Sequence, residues 1–229
     1  MRARRELEGT DGKMIEMIIA RASYVSVASR ASSEGALLRS SALNTSVLEY
    51  VVSMITSDAE TPLASGGRTT ALIDAGALMA GMDTEAVARY LMDNTAKNCF
   101  RGVVFFRNAV GWQVLDRTGK IWKKSACPFT EASAFVYFDE SRCRGADMKL
   151  DPDAKAVVTL GPRMCKDKFM QAAARMRQLD RDQRLTLIAP DDVEAQLSNV
   201  IIFVCTNHAC RCFKLDIVEH QHQRCRRAA

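Results

Sequence analysis

Five short stretches of the chain are apolar at most positions, and each is the length of a β-strand: residues 70–74, 102–107, 134–138, 156–160 and 185–189. A strand with one wet face alternates apolar and polar residues, whereas a run apolar on both faces must be covered on both. Helical spacing occupies much of the chain between them. Thr84 stands where a helix cap is expected before Val87, Leu91 and Met92, and residues 169–179 and 191–198 read as further helices. Doubly buried strands alternating with helices predict an α/β fold, a mostly parallel sheet with helices on both faces. Asp116-Arg117-Thr118-Gly119 predicts a hairpin turn between strands at 112–115 and 120–122, with Trp112 and Trp122 stacked across it. A last strand is expected at 200–204.

Ahead of this pattern, residues 6–28 carry Leu7, Met14, Met17, Ile18 and Val25 at three- and four-residue steps, and 47–55 reads as a second helix. Pro62 and Gly66-Gly67 mark a loop over 57–68 and a candidate boundary. The expected organisation is a helical N-terminal extension (1–60), an α/β domain (69–205) and a basic Cys/His-rich tail (206–229). With 229 residues, 48% hydrophobic and 26% charged, the chain can bury a core, which excludes disorder, a collagen-like fibre and a disulfide-stapled miniprotein. No apolar run approaches a membrane span, and Arg2, Arg4 and Arg5 lead into Glu6 and Glu8 instead of an apolar leader segment. The expectation is an intracellular, cytoplasmic protein with no membrane partner. The net charge of +5 resides in the two ends, so the core offers no basic face for nucleic acid.

Three groups of residues could carry chemistry. The run Phe135-Val-Tyr-Phe-Asp139-Glu140 ends a buried strand in two acids, the arrangement that holds magnesium in nucleotide hydrolases, although such acids more often position a loop. The phosphate loop that should accompany it is missing, because Met82 stands where the lysine belongs after Gly76 and Gly81. The chain is therefore not a self-sufficient NTPase. Second, eight cysteines in a reducing compartment read as thiols or metal ligands. Third, Cys205, His208, Cys210 and Cys212, followed by His220, His222 and Cys225, are soft donors suited to zinc. They lack C-x2-C spacing, so a basic tail without metal is the favoured reading.

After the acidic strand come Cys143-Arg-Gly145-Ala-Asp147, another strand, and Gln171-Ala-Ala-Ala-Arg175-Met-Arg177. This order resembles the second RecA-like lobe of superfamily-two helicases and the related protein-translocation ATPases. The resemblance implies that Arg175 and Arg177 stabilise charge on the γ-phosphate. It also implies that Asp139, Glu140, Gly145, Asp147 and Gln171 line the nucleotide, and that ATP is held jointly with a first RecA-like lobe in the same or another chain. Two residues apart, the arginines cannot point the same way on a helix, so at most one serves as a finger. Ala174 takes the place of the usual glycine.

Over residues 40–195 the ordered phrases Ala71-Leu-Ile-Asp-Ala-Gly-Ala-Leu78, Thr84-Glu-Ala-Val-Ala88, Phe138-Asp-Glu140, Arg144-Gly-x-Asp147, Ala156-Val-Val-Thr-Leu-Gly161, Lys166-Asp167 and Arg175-Met-Arg177 are similar to the C-terminal part of a family of very large eukaryotic proteins. These are known mainly as domains of unknown function and are often classed as ubiquitinyl hydrolases. The resemblance implies that the chain is a fragment or a stand-alone relic of a longer protein, and it implies ubiquitin as a partner. Members have His-Thr where this chain has Arg142-Cys143. A thiol peptidase needs a histidine beside its cysteine, and all three histidines lie at 208–222. Cys143, flanked by arginines, is the candidate nucleophile because adjacent cations lower a thiol pKa. Three readings stand: a degenerate helicase-type lobe with a regulatory or structural role, a cysteine-type ubiquitinyl hydrolase, and a non-catalytic scaffold.

Overall fold

The computed structural model describes residues 17–18, 20–27, 36–60, 67–162, 164–190 and 193. They form β1 (Ala22–Val27), α1 (Ala36–Glu60), β2 (Thr69–Ile73), α2 (Thr84–Asp93), β3 (Gly102–Arg107), β4 (Gly111–Asp116), β5 (Ile121–Lys123), β6 (Phe135–Phe138), β7 (Lys155–Thr159), α3 (Lys166–Ala173) and β8 (Arg184–Pro190). The strands make one sheet in the order β1-β8-β7-β2-β6-β3-β4-β5. The pairs from β1 to β3 are parallel, and β4 and β5 are antiparallel. The protein is thus α/β with a mostly parallel, mixed sheet.

Period-two alternation sends the apolar residues of each central strand to opposite faces. On one face Leu72, Phe105, Tyr137 and Val157 bury against Val47, Leu48 and Val51 of α1 and Val87 and Leu91 of α2. On the other, Ile73, Phe138 and Val158 bury against Cys143, Met148 and Leu150 of the β6–β7 connection and Ala172, Ala173 and Met176 of α3 and the turn after it. Each buried Leu, Val or Phe contributes roughly 1.5–3 kcal/mol, so both layers are needed to hold the sheet.

Crossover handedness explains which segment covers which face. A right-handed connection moving one way along a parallel sheet passes over one face, and one moving the other way passes over the opposite face. The connections β1→β2 and β2→β3 run toward β3 and carry α1 and α2. The connections β6→β7 and β7→β8 run toward β1 and carry the 139–154 segment and α3.

Several local expectations change. The helix expected over 6–28 gives way at Ala22 to β1, which pairs with β8 from Ala22↔Leu185 to Val27↔Pro190. Its Ser-Tyr-Val-Ser-Val sequence suits a strand, and Val25 matched a helical step by coincidence. Asp83, not Thr84, is the residue before α2, and it makes no side-chain cap. The Thr84 hydroxyl instead donates to the Phe106 carbonyl at 2.8 Å, tying α2 to β3. The helix expected to reach residue 179 ends at Ala173. The hairpin forms as expected, but Trp112 packs edge-on against Phe106 and Phe138. The Trp122 indole donates to Asp116 at 2.7 Å and lies under Lys120. The helix expected at 191–198 (apart from Val193), the strand at 200–204 and the Cys/His-rich tail lie outside the described residues. No helix among the described residues is long and apolar enough to cross a membrane.

Candidate functional site

In open α/β sheets, ligands bind beyond the carboxyl ends of strands where neighbouring connections leave over opposite faces. Here that place is the β7-β2-β6 group, because β2 leaves over the α1/α2 face while β6 and β7 leave over the α3 face. Three polar residues end these strands.

Asp74, 2% exposed, follows β2. Its carboxylate accepts from the amides of Leu78 and Met79 at 2.8 and 2.9 Å and from the Thr159 hydroxyl at 2.6 Å. Thr159 in turn accepts from the Gly76 amide at 2.9 Å. Burial pushes the Asp74 carboxyl above the usual range; the three donated bonds work against that shift, and the nearby Glu140 charge adds to it. Gly76 and Gly161 meet backbone to backbone: a Cβ on Gly161 would stand 2.2 Å from the Gly76 carbonyl oxygen. The strand ends at the switch point are therefore closed by their own backbone and leave no cradle between them.

Asp139 follows β6, and its carboxylate accepts from the Arg142 amide at 3.0 Å and the Ser141 hydroxyl at 2.6 Å, capping the turn Glu140–Arg142. Glu140 pairs with Lys168 of α3. Both acids are thus used to position the loop, and among the described residues no group of three or more His, Cys, Asp or Glu side chains could hold a metal ion.

Cys143 is 1% exposed, with its sulfur 3.3 Å from the Asp139 carbonyl oxygen and 3.9 Å from that of Phe138. Arginines adjacent in sequence do not activate it. Arg142 turns away to lie over the Phe106 ring at 3.6 Å. Burial raises the Cys143 thiol pKa far above its ordinary value; Asp74, Asp139 and Glu140 raise it further, with only Lys168 opposing. The thiol is a packed core group, and the expected activation is reversed. No histidine lies among the described residues.

No family model, curated protein or solved structure matches the chain. The site must therefore be read from its own geometry.

That geometry joins the two segments singled out by sequence. Gly145 takes a φ of +72°, and the turn it makes presents the Ala146 carbonyl to Arg175. Arg175, 8% exposed, donates through Nη1 to that carbonyl and through Nε to the Gln171 carbonyl at 3.3 Å. Burial lowers its pKa, the Arg177 charge adds to this, and Asp147 and Cys143 oppose it. Arg177 is exposed and donates to Asp147 at 3.3 Å. Gln171 exposes its side chain on α3. The arginines point apart, although the helix on which their spacing would require it ends at Ala173. One fastens the loop; the other, with exposed Arg144, supplies positive charge at the rim.

Asp74, Thr159 and the glycine contact were not among the residues expected to matter. Their signal is present: Asp74-x-Gly76 and Thr159-x-Gly161 each place a polar residue at a strand end with glycine two positions on.

Proposed function

We propose that this chain is the second lobe of a two-lobe, helicase-type NTPase module, RecA-like in fold, with a regulatory or structural role. It lends a cationic rim to a nucleotide whose phosphates are cradled by a separate first lobe. The observation that carries the reading is the convergence, on the sheet face that α3 covers, of the Arg-Gly-x-Asp loop with the arginines after α3 through Arg175–Ala146 and Arg177–Asp147. In this role Arg177 is the movable group, because its partner is a solvated carboxylate and an exposed ion pair is worth only about 0–1 kcal/mol. Arg175 fixes the loop that carries Asp147. The hydrolase reading lacks support at Cys143, which is buried and held protonated.

The test is a titration of the 15N-labelled chain with millimolar Mg·ATP, followed by amide shifts. Weak binding is expected, with shifts centred on Gly145–Asp147 and Arg175–Arg177 and lost in Arg177→Gln. Unchanged spectra, or shifts that persist in Arg177→Gln, overturn the proposal.

A further inference from the structure

At the amino edge of the sheet, three cations stand together. Lys155 opens β7 and is the register partner of Arg184, which opens β8. Arg21 stands one residue before Ala22, the partner of Leu185. Neighbouring strands are about 4.8 Å apart, so register sets Lys155 and Arg184 side by side, and Arg21, the last helical residue before β1, brings a third like charge to the same cleft. Like charges in directly opposed positions destabilise a sheet.

Among the described residues one of the three is neutralised. Lys155 pairs with Asp58 of α1 at 2.8 Å, and Asp58 also accepts from the Thr69 amide and hydroxyl. Among the described residues, Arg21 and Arg184 have no acidic partner. All three line a cleft of about 430 Å³ between the strand ends and α1, with Met54, Leu185, Ser23 and Thr186 among its other walls. That volume is within the usual range for small-molecule sites. The Ser23 and Thr186 hydroxyls lie 3.3 Å apart, and whichever donates, the other keeps a proton to give. Guanidinium groups, an ammonium, a spare hydroxyl donor and an apolar wall are the complement of a phosphate carrying a small organic body.

We infer that this cleft binds a small organic phosphate, with Arg21 and Arg184 on the phosphoryl oxygens, the spare hydroxyl proton donated to the same group, and Met54 and Leu185 against the organic part. This site is separate from the rim of the proposed nucleotide lobe and does not depend on it.

The test titrates the full chain with inorganic phosphate and with phenyl phosphate, reading amide shifts and thermal stability. Shifts are expected at Ser23, Leu185 and Thr186, with phenyl phosphate binding more tightly than phosphate. In the double variant Arg21→Gln/Arg184→Gln, affinity should fall by about tenfold or more, the loss expected for charge-assisted hydrogen bonds. The double variant should melt no lower than the parent in phosphate-free buffer, since it removes repulsion. Binding retained within twofold in the double variant, or shifts confined to Gly145 and Arg175, overturns the inference. So does a lower melting point of the double variant without ligand.

Discussion

Replacing Gly161 by alanine tests whether the switch point is closed as tightly as its geometry indicates. The new Cβ would stand 2.2 Å from the Gly76 carbonyl oxygen, 2.9 Å from its carbon and 3.0 Å from its Cα. All three atoms are backbone, so no side chain can swing aside. Restoring an ordinary contact of 3.4 Å needs an opening of a little over 1 Å. Gly76 is not free to retreat, because its amide is bonded to Thr159, Thr159 to Asp74, and the Asp74 amide to the Phe138 carbonyl at 2.9 Å. An opening of that size breaks the 2.9 Å Gly76–Thr159 bond. Overpacking costs about 1–3 kcal/mol and a lost buried hydrogen bond about 1 kcal/mol, so the expected total is about 2–4 kcal/mol.

For a chain of this size each kcal/mol lowers Tm by about 2–4 °C, which predicts a loss of about 4–16 °C in thermal unfolding followed by circular dichroism. Gly119→Ala is the matched control. Gly119 has a φ of +83° and nothing within 4 Å of where a Cβ would stand, so its cost is backbone strain alone, about 1 kcal/mol. If Gly161→Ala melts no lower than Gly119→Ala, the contact is looser than the structure gives and the reasoning fails. Gly76→Ala meets the Gly161 amide at 2.6 Å and should cost a similar amount, with the double variant well short of additive.

Three further outcomes are expected. The raised Asp74 pKa means that the folded state holds this proton more tightly than the unfolded one; that stabilisation is fully present below the ordinary carboxylate pKa and is lost as pH rises through the raised value. The Tm advantage of the parent over Asp74→Asn should therefore shrink from about pH 4 toward neutrality, and an advantage that grows would show that the three donors outweigh burial. Arg117 donates to the carbonyls of Phe100, Met92, Thr95 and Ala96 and to the Thr95 hydroxyl while lying over Phe100 at 4.5 Å. Lysine cannot reproduce that fork, so Arg117→Lys should lose about 2–4 kcal/mol in urea denaturation, and a loss under about 1 kcal/mol would refute the role. Maleimide should label exposed Cys165 in the native chain and reach buried Cys143 only on unfolding; equal rates would contradict the buried thiol.

The central strands were legible because burial on both faces writes an unbroken apolar run. Phe135–Phe138 is buried at all four positions, and no helix or loop competes for such a short segment. The amino-terminal part was harder to read. β1 is a short edge strand, and one face of it carries exposed Ser23 beside half-buried Val25, so it gives no clean apolar pattern. The helix α1 begins at Ala36, but its first turns mix serine, arginine and asparagine with the apolar residues, and the buried stripe that meets Leu72 and Val157 is unbroken only from Val47 to Ile55 among the described residues.

At the site, local sequence misled wherever chemistry depends on neighbours supplied by other strands. Arg142 and Arg144 flank Cys143 in the chain, yet one stacks on Phe106 and the other is exposed, so neither lowers the thiol pKa. The charges that do act on it include Asp74, which arrives from β2 because β6 pairs beside β2. The arginine pair shows the converse. The helix that was expected to splay Arg175 and Arg177 ends at Ala173, yet one is buried against Ala146 and the other reaches Asp147. Their different fates follow from where the Gly145 turn puts its carbonyl, which depends on the path of the 139–154 segment across the sheet. Strand order therefore sets which arginine fastens the loop and which is left exposed beside Asp147. The polar-x-Gly pairs at Asp74 and Thr159 were the one local trace of that order, since two chain segments need glycine at matched positions only where their backbones touch.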